Sequence, residues 1–185
     1  MSERSDIGIR ALSDNDASEL KRMLHLALFV PPGSPPLPFE AVETPEIARY
    51  VRNWAKAGDV GFAAIDSAGQ VIGAAWLRLM QGPQRGYGYV DDSTPELSIA
   101  LEPQYRNRGL GTELLGRLLA RAAEDYDAVC LSVSVENPAA RLYERLGFVT
   151  ITEDAGSLTM RKTLAGSDSQ QLPNTADRPR QQASE

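Results

Sequence analysis

Residues 106–112 are the stretch of the chain in which residue type and spacing most directly suggest chemistry. They are Arg106, Asn107, Arg108, Gly109, Leu110, Gly111 and Thr112. Leucines recur at helical spacing directly after them, so a helix is predicted to begin close to Gly109. The first N–H groups of a helix lack internal partners and carry the positive end of its dipole. Glycines leave these groups uncovered and the arginines add positive charge, so the segment is predicted to cradle a pyrophosphate.

Two widespread phosphate-binding patterns do not fit this segment. A P-loop requires Gly-Lys-Ser or Gly-Lys-Thr, and the chain contains neither. A dinucleotide-binding loop requires G-x-G-x-x-G, whereas Gly109, Gly111 and Gly116 have the spacing G-x-G-x-x-x-x-G. When the segment is taken alone, an ordinary loop between a strand and a helix stays open as an interpretation.

A second motif follows another apolar run further along the chain. It contains Asn137, Ala140, Tyr143, Gly147 and Phe148. Together the two motifs resemble those of the GNAT superfamily, whose members are acyl-CoA-dependent N-acyltransferases and whose phosphate loop has the pattern Arg/Gln-x-x-Gly-x-Gly/Ala. The motifs occur in the expected order, separated by one predicted helix and one predicted strand. The resemblance covers about residues 5–163 and is strongest over 96–148.

The resemblance implies that acetyl-CoA is the co-substrate. In the family it binds between two parallel strands that part from each other, which correspond here to residues 96–102 and 128–135. A backbone N–H group there would stabilise the oxyanion that develops on the thioester, and residues 106–112 would hold the pyrophosphate. The backbone groups expected beside the pantetheine arm are those of Ile99, Ala100 and Leu101.

Two side chains of the second motif are also assigned to the cofactor by the resemblance. Asn137 would contact the pantetheine arm or the backbone next to it, and Arg141 would reach the phosphate region. A second interpretation of Asn137 stays open, because an asparagine directly before Pro138 also suits a helix N-cap.

The same resemblance implies direct attack of a primary amine on the thioester within a ternary complex. Tyr143 is the predicted general acid, because a phenol keeps its proton at neutral pH and can pass it to a leaving thiolate. Packing on a helix face is the alternative for Tyr143. Glu96 is the predicted general base, acting through a water molecule, and a solvated carboxylate at a strand end is the alternative for it.

The amine pocket and the acceptor are less well defined by the sequence. Residues 30–45, residues 81–94 and Trp76 are expected to shape the pocket, where Asp91 and Asp92 would either attract a cationic amine or simply be solvated. A protein or peptide N-terminus competes with a small-molecule amine as acceptor. An acyl-CoA-binding sensor without turnover is the alternative from another functional class, although it would not require the proton donor Tyr143.

Hydrophobic periodicity predicts the elements that position these residues. An early antiparallel hairpin followed by alternating strands and helices predicts a mixed α/β (α+β) sheet. Its N-terminal half would be antiparallel, its middle strands parallel, and its helices would cover both faces. Strands are predicted at 7–12, 60–65, 71–79, 96–101, 128–135, 148–153 and 157–163. Helices are predicted at 15–29, from Pro45 to near Gly58, at 109–125 and at 138–146.

Composition narrows the functional classes further. The chain has 185 residues and a net charge of −6, so it is a poor candidate for binding nucleic acid. Residues 1–164 are predicted to form one domain, and residues 165–185 a disordered tail because they have almost no large apolar residue. Neither a signal peptide nor a membrane-length apolar run is visible, so we expect a soluble cytoplasmic protein. We expect no metal ion. The resemblance allows a homodimer.

Overall fold

The computed structural model describes residues 7–164, so the predicted disordered tail lies outside the described residues. Seven strands form one sheet in the order β1-β2-β3-β4-β5-β7-β6. Within the described residues, β4 and β5 are parallel and every other neighbouring pair is antiparallel. The strands are β1 Gly8–Ala11, β2 Val60–Ile65, β3 Val71–Arg78, β4 Glu96–Leu101, β5 Ala128–Ser134, β6 Val149–Asp154 and β7 Ser157–Thr163. The α-helices are α1 Ala17–Ala27, α2 Pro45–Ala48, α3 Leu110–Ala122 and α4 Ala140–Arg145.

The two long helices pack on opposite faces of the sheet, as predicted. One core contains Leu114 and Leu118 of α3 with alternate residues of the central strands. The other contains Leu20 and Met23 of α1 with Trp76 of β3. All eight residues of β3 are buried, because helices cover both faces of this central strand. No helix among residues 7–164 has both the length and the apolarity needed to cross a bilayer.

The parallel strands β4 and β5 part soon after they meet. Their ladder consists of one register pair, Glu96 opposite Cys130, and the N–H of Cys130 donates to the carbonyl of Pro95 at 3.0 Å. On its other side β4 pairs with β3 along its whole length. The predicted parting of these strands is therefore confirmed. Within the described residues, the edge of β4 that faces β5 is unpaired beyond Glu96.

The second predicted helix is wrong in length. The α-helix that starts at Pro45 ends at Ala48 rather than near Gly58, and irregular turns follow it. The carbonyl of Tyr50 accepts from the indole of Trp76 at 3.1 Å, and the carbonyl of Arg52 accepts from Arg78 at 2.7 Å. A helix would need these carbonyls as acceptors for its own N–H groups. Because Trp76 and Arg78 donate to them, the residues after Ala48 form turns, and their apolar side chains are buried from these turns.

Candidate active site

The N-terminus of α3 has the geometry that the glycine-rich segment predicts. Gly109 precedes the helix in the left-handed region, with φ of 82°. The first helical hydrogen bond joins the N–H of Glu113 to the carbonyl of Gly109 at 3.1 Å. In the described part of the chain, the N–H groups of Leu110, Gly111 and Thr112 have no carbonyl partner, as expected at a helix start. They form a cluster of donors at the positive end of the helix dipole.

Gly111 packs this helix end closely against the neighbouring elements. A Cβ atom at Gly111 would lie 3.4 Å from Leu101, 3.7 Å from Ile99 and 3.9 Å from Leu142. Arg106 ties the loop to the same strand, because its Nε donates to the carbonyl of Leu101 at 2.9 Å. The donor cluster is therefore held beside the end of β4 and beside α4.

The other side chains predicted to bind the cofactor lie in the turn before α3 and on or just before α4. Asn107 is left-handed with φ of 59°, and Arg108 beside it is exposed in the same turn. Arg141 is exposed on α4. The side-chain oxygen of Asn137 accepts from the N–H of Ala139 at 2.9 Å in the turn before α4. The N-cap of α4 is Ala139, because the helix begins at Ala140 rather than at Pro138, so the interpretation of Asn137 as the N-cap is wrong. Its contact with a cofactor stays a prediction.

Ile99 and Leu101 direct backbone groups into the gap between β4 and β5. Strand residues alternate in the side to which their N–H and C=O groups point. Glu102, just beyond β4, donates its N–H to Ile72 of β3, whereas Pro95 accepts from Cys130 of β5. Odd-numbered residues of β4 therefore face β5, and the N–H groups of Ile99 and Leu101 lie on its open edge. Ala100 has its backbone groups toward β3 and a buried side chain.

Tyr143 lies on the inner face of α4 and is 8% exposed. Its ring packs edge-on against Phe148, with 5.8 Å between the ring centroids. Burial raises the pKa of Tyr143 to about 12. Among the described residues, its hydroxyl has no hydrogen-bond partner. The phenol is therefore both packed as a core residue and fully protonated at neutral pH.

Glu96, the first residue of β4, is buried and only half hydrogen-bonded. It is 5% exposed, so the alternative of a solvated carboxylate at a strand end is wrong. Its Oε1 accepts from the hydroxyl of Tyr50 at 2.8 Å and from the N–H of Gly88 at 2.9 Å. Its Oε2 is buried and has no partner among the described residues. Burial raises the pKa of Glu96 to about 7, although the donors on Oε1 lower it.

Two glycines of the loop before β4 let its backbone lie directly on this carboxyl group. A Cβ atom at Gly86 would come within 2.1 Å of Oε2 of Glu96. A Cβ atom at Gly88 would come within 2.5 Å of the carbonyl carbon of Leu131 and 2.6 Å of the nitrogen of Ser132. No side chain fits at either position. The loop thus covers Glu96 at the point where β4 and β5 begin to part.

Tyr143 and Glu96 approach the parted strands from opposite faces of the sheet. Tyr143 belongs to the core beneath α3, and Tyr50, which holds the Glu96 carboxyl, belongs to the core beneath α1. The unpaired edge of β4 is the opening between these two faces. Tyr143 and Glu96 therefore lie on opposite faces of the sheet that contains this gap.

The structure places three residues that were expected at the amine pocket. Trp76 is fully buried and donates to the carbonyl of Tyr50, so it does not line a pocket. Asp91 accepts from Ser93 and from Thr94, and Asp92 accepts from the hydroxyl of Tyr89 at 2.7 Å. Both aspartates accept hydrogen bonds within their own loop, but the Asp92 side chain is still 61% exposed, so their attraction of an amine stays a prediction.

The sequence analysis missed Tyr50, Gly86 and Gly88. The two glycines in Gly-Tyr-Gly carry a usable signal, since closely spaced glycines before a strand often mark a close backbone approach. Tyr50 carries none, because its spacing within an apolar pattern predicts a helix-face residue.

The comparisons with known proteins agree with this geometry. The model of the acetyltransferase (GNAT) family matches residues 27–148, which include β4, α3, β5 and α4. No curated protein matches the chain.

Solved structures with the same fold are similar over most of the chain. The GNAT domain of PAT from S. lividans has a TM-score of 0.62 at 17% identity and covers 84% of this chain and 89% of its own. The yncA protein of Salmonella typhimurium, solved with its cofactor acetyl-CoA, gives 0.59 at 19% identity, with 92% and 99% covered. The dodecameric spermidine N-acetyltransferase of Vibrio cholerae gives 0.56 at 22% identity, with 86% and 95% covered. The chain belongs to the acetyltransferase (GNAT) family and is an enzyme of the acyltransferase class.

Proposed function

We propose that the protein transfers an acetyl group from acetyl-CoA to a primary amine by direct attack within a ternary complex. Glu96 is the proton acceptor and Tyr143 is the proton donor. The observation that carries this proposal is the half-paired, buried carboxyl group of Glu96 at the point where β4 and β5 part. A carboxylate with one open oxygen and a pKa of about 7 suits a general base at neutral pH.

The residues around the gap fit acetyl-CoA. The N–H groups of Leu110, Gly111 and Thr112 would receive the pyrophosphate, and Gly111 lies next to Ile99 and Leu101 of β4. The open N–H groups of Ile99 and Leu101 would align the pantetheine arm and donate to the acyl oxygen. When bound, the cofactor supplies an activated thioester, and the proposed mechanism uses no metal ion.

Two protons move in the proposed transfer, and each has a specific donor and acceptor. The amine nitrogen forms a bond to the acyl carbon while the carbon–sulfur bond breaks. Oε2 of Glu96 accepts, through a bridging water, the proton that the nitrogen loses. Tyr143 donates its hydroxyl proton to the departing sulfur. The Ile99 N–H would stabilise the negative charge on the acyl oxygen between these events.

Burial affects the proton donor and the leaving group in the same direction. A pKa of about 12 makes Tyr143 a weaker acid than an exposed phenol. A thiol in an apolar environment also becomes a weaker acid, and Cys130 of this chain is an example, since burial raises its pKa. A desolvated thiolate beside Tyr143 would thus be a stronger base than a thiolate in water. Its greater basicity offsets the raised pKa of the phenol.

A thiol-release assay with acetyl-CoA tests the proposal. The amine panel is a tripeptide with a free N-terminus, Nα-acetyl-lysine amide, benzylamine and spermidine, which together separate α-amino, lysine-like, arylalkyl and polyamine acceptors. We expect turnover with at least one amine and loss of about 10²-fold or more in kcat for Tyr143→Phe. The affinity of this variant for acetyl-CoA should be nearly unchanged.

Two results would contradict the proposal. Acetyl-CoA that fails to raise the Tm at saturation removes the co-substrate, since a ligand of the folded state must stabilise it. Stabilisation by acetyl-CoA without thiol release for any amine would instead favour a binding domain without turnover.

A further inference from the structure

Tyr50 is the residue that connects Glu96 to the rest of the protein. Its hydroxyl donates to Oε1 of Glu96 at 2.8 Å and accepts from the N–H of Tyr87 at 2.8 Å. Its carbonyl accepts from the indole of Trp76 at 3.1 Å, and the residue is 8% exposed. Tyr50 is therefore fixed at both ends, and its hydroxyl joins the carboxyl group to the covering loop.

This arrangement leaves the two oxygens of Glu96 unequal. Oε1 receives two donors, Tyr50 and the N–H of Gly88, whereas Oε2 receives none among the described residues. A carboxylate oxygen that already accepts two hydrogen bonds is a poor site for a further proton. The incoming proton is therefore directed to Oε2.

We propose that Tyr50 is a positioning residue for acetyl transfer, which holds Oε1 of Glu96 so that Oε2 alone takes the proton of the amine. This inference rests on the proposed function, because it assumes that Glu96 is the general base. Tyr50 exchanges no atom with substrate in this role.

The charged and titratable groups around Glu96 do not replace Tyr50. Arg49 lowers the pKa of Glu96 through its charge, but its guanidinium donates to the carbonyl of Arg85. Arg78 stands opposite Glu96 in the β3–β4 register, and its Nε donates to Asp59 at 2.9 Å. On β5, Cys130 is buried and holds its proton. Tyr50 is the side chain that donates to Glu96 within residues 7–164.

Tyr50→Phe tests the inference, with Tyr126→Phe as the matched control. Tyr126 also donates one hydroxyl hydrogen bond, to the carbonyl of Gly58 at 3.0 Å, away from Glu96. The measurement is kcat/KM against pH with acetyl-CoA and the best amine of the panel. Because a donor to a carboxylate lowers its pKa, we expect the acid limb of Tyr50→Phe to move up by about one pH unit.

The shape of the profile separates positioning from a merely structural effect. In Tyr50→Phe the loss should be about tenfold near pH 6.5 and should shrink toward pH 9, because a base of higher pKa is then deprotonated again. The KM for acetyl-CoA should stay within about twofold, and Tyr126→Phe should keep the wild-type profile. A loss in Tyr50→Phe that is equal at all pH values overturns the inference.

A titration of the unmodified protein tests the same contact without turnover or a variant. With ¹³C labels at the Glu side-chain carboxyl and the Tyr ring, the signals of Glu96 and Tyr50 should shift with one common midpoint. Sequential resonance assignment of the wild-type protein identifies the two signals. A Tyr50 signal that does not follow the Glu96 midpoint overturns the inference even if Tyr50→Phe does not fold.

Glu96→Gln separates the role of Glu96 as general base from the positioning role of Tyr50. If Glu96→Gln is inactive while the profile of Tyr50→Phe is unshifted, the positioning role is wrong and the proposed base stands. If Glu96→Gln is fully active, the base assignment is wrong and the positioning role falls with it.

Discussion

Asp16 and Glu96 are two carboxyl groups with the same 5% exposure and opposite ionisation behaviour. Asp16 accepts from Arg10 at 2.7 and 2.9 Å and from the N–H of Ser13 at 2.7 Å. The hydrogen bonds of Arg10 are the largest cause that lowers the pKa of Asp16 to about 2. Among residues 7–164, Glu96 has no ion-pair partner and its Oε2 has no hydrogen-bond partner, and burial raises its pKa to about 7.

Hydrogen-bond and ion-pair partners, rather than burial alone, decide whether a buried carboxyl group is ionised. With both oxygens engaged, Asp16 links β1 to the start of α1 and stabilises the fold. With Oε2 unpaired, Glu96 can accept a proton near neutral pH, where an amine must lose one. A half-satisfied buried carboxyl is costly for stability, and such groups concentrate at functional sites.

The largest expected contrast is in catalysis. Glu96→Gln should lower kcat/KM for acetyl transfer by about 10³-fold, because an amide does not accept the amine proton. Asp16→Asn should stay within about twofold of wild type per folded molecule, since it touches no group near the gap. Steady-state kinetics at pH 7.5 compare the two. Equal losses in both variants would break the contrast.

The second contrast is in the pH dependence of stability. The folded state keeps Glu96 protonated at a pH where the unfolded state has released the proton, so this group costs more stability as pH rises from 4.5 to about 7. Relative to wild type, Glu96→Gln should therefore gain about 2 kcal/mol in unfolding free energy between pH 5.5 and 8. Urea unfolding at several pH values measures this, and a parallel pair of curves would contradict the raised pKa.

The third contrast concerns the loop that covers Glu96. Gly88→Ala should lower kcat/KM about tenfold or more, because its Cβ would collide with the backbone of Leu131 and Ser132 and displace the N–H from Oε1. Gly116→Ala is the matched control, since nothing lies within 4 Å of a Cβ there. Because Gly116 is on the exposed face of α3, this substitution should raise stability by about 0.5–1 kcal/mol. Full activity of Gly88→Ala would show that the loop contact is dispensable.

The smallest expected effect is the stabilisation by Asp16. Asp16→Asn should lower the unfolding free energy at pH 7 by about 1–2 kcal/mol, a figure kept low because Arg10 is 42% exposed on its side chain. Because the pKa of Asp16 is lowered in the folded state, its ionised form stabilises the fold at pH values above the usual pKa of an aspartate. The difference from wild type should vanish as pH falls from about 4 toward 2, as followed by thermal unfolding. A difference that persists at pH 2 would argue against the ion pair as its source.

The two ends of the site differ in how far the sequence predicts them. The helix start at Gly109 is local information, because glycines, arginines and the leucine periodicity lie within a few residues. The parting of β4 and β5 followed from the resemblance and is confirmed. The partners of Glu96 are not local: Tyr50 is 46 residues away in sequence, and Gly88 reaches it by a backbone group that no residue type encodes.

The error in the second helix has the same origin. The apolar spacing around Tyr50 indicates burial correctly but assigns it to a continuous helix. Trp76 and Arg78 on β3 capture the carbonyls of this segment, and that tertiary competition has no local signature. Burial was thus predictable here, whereas the hydrogen bonds that orient Tyr50 toward Glu96 were not.

The most direct test of Glu96 as the proton acceptor is the pH profile of kcat/KM for acetyl transfer in wild type and Glu96→Gln. We expect a break near pH 7 in the wild-type profile, in addition to the ionisation of the amine itself, and the loss of this break in Glu96→Gln. The same break in both proteins would contradict this role of Glu96.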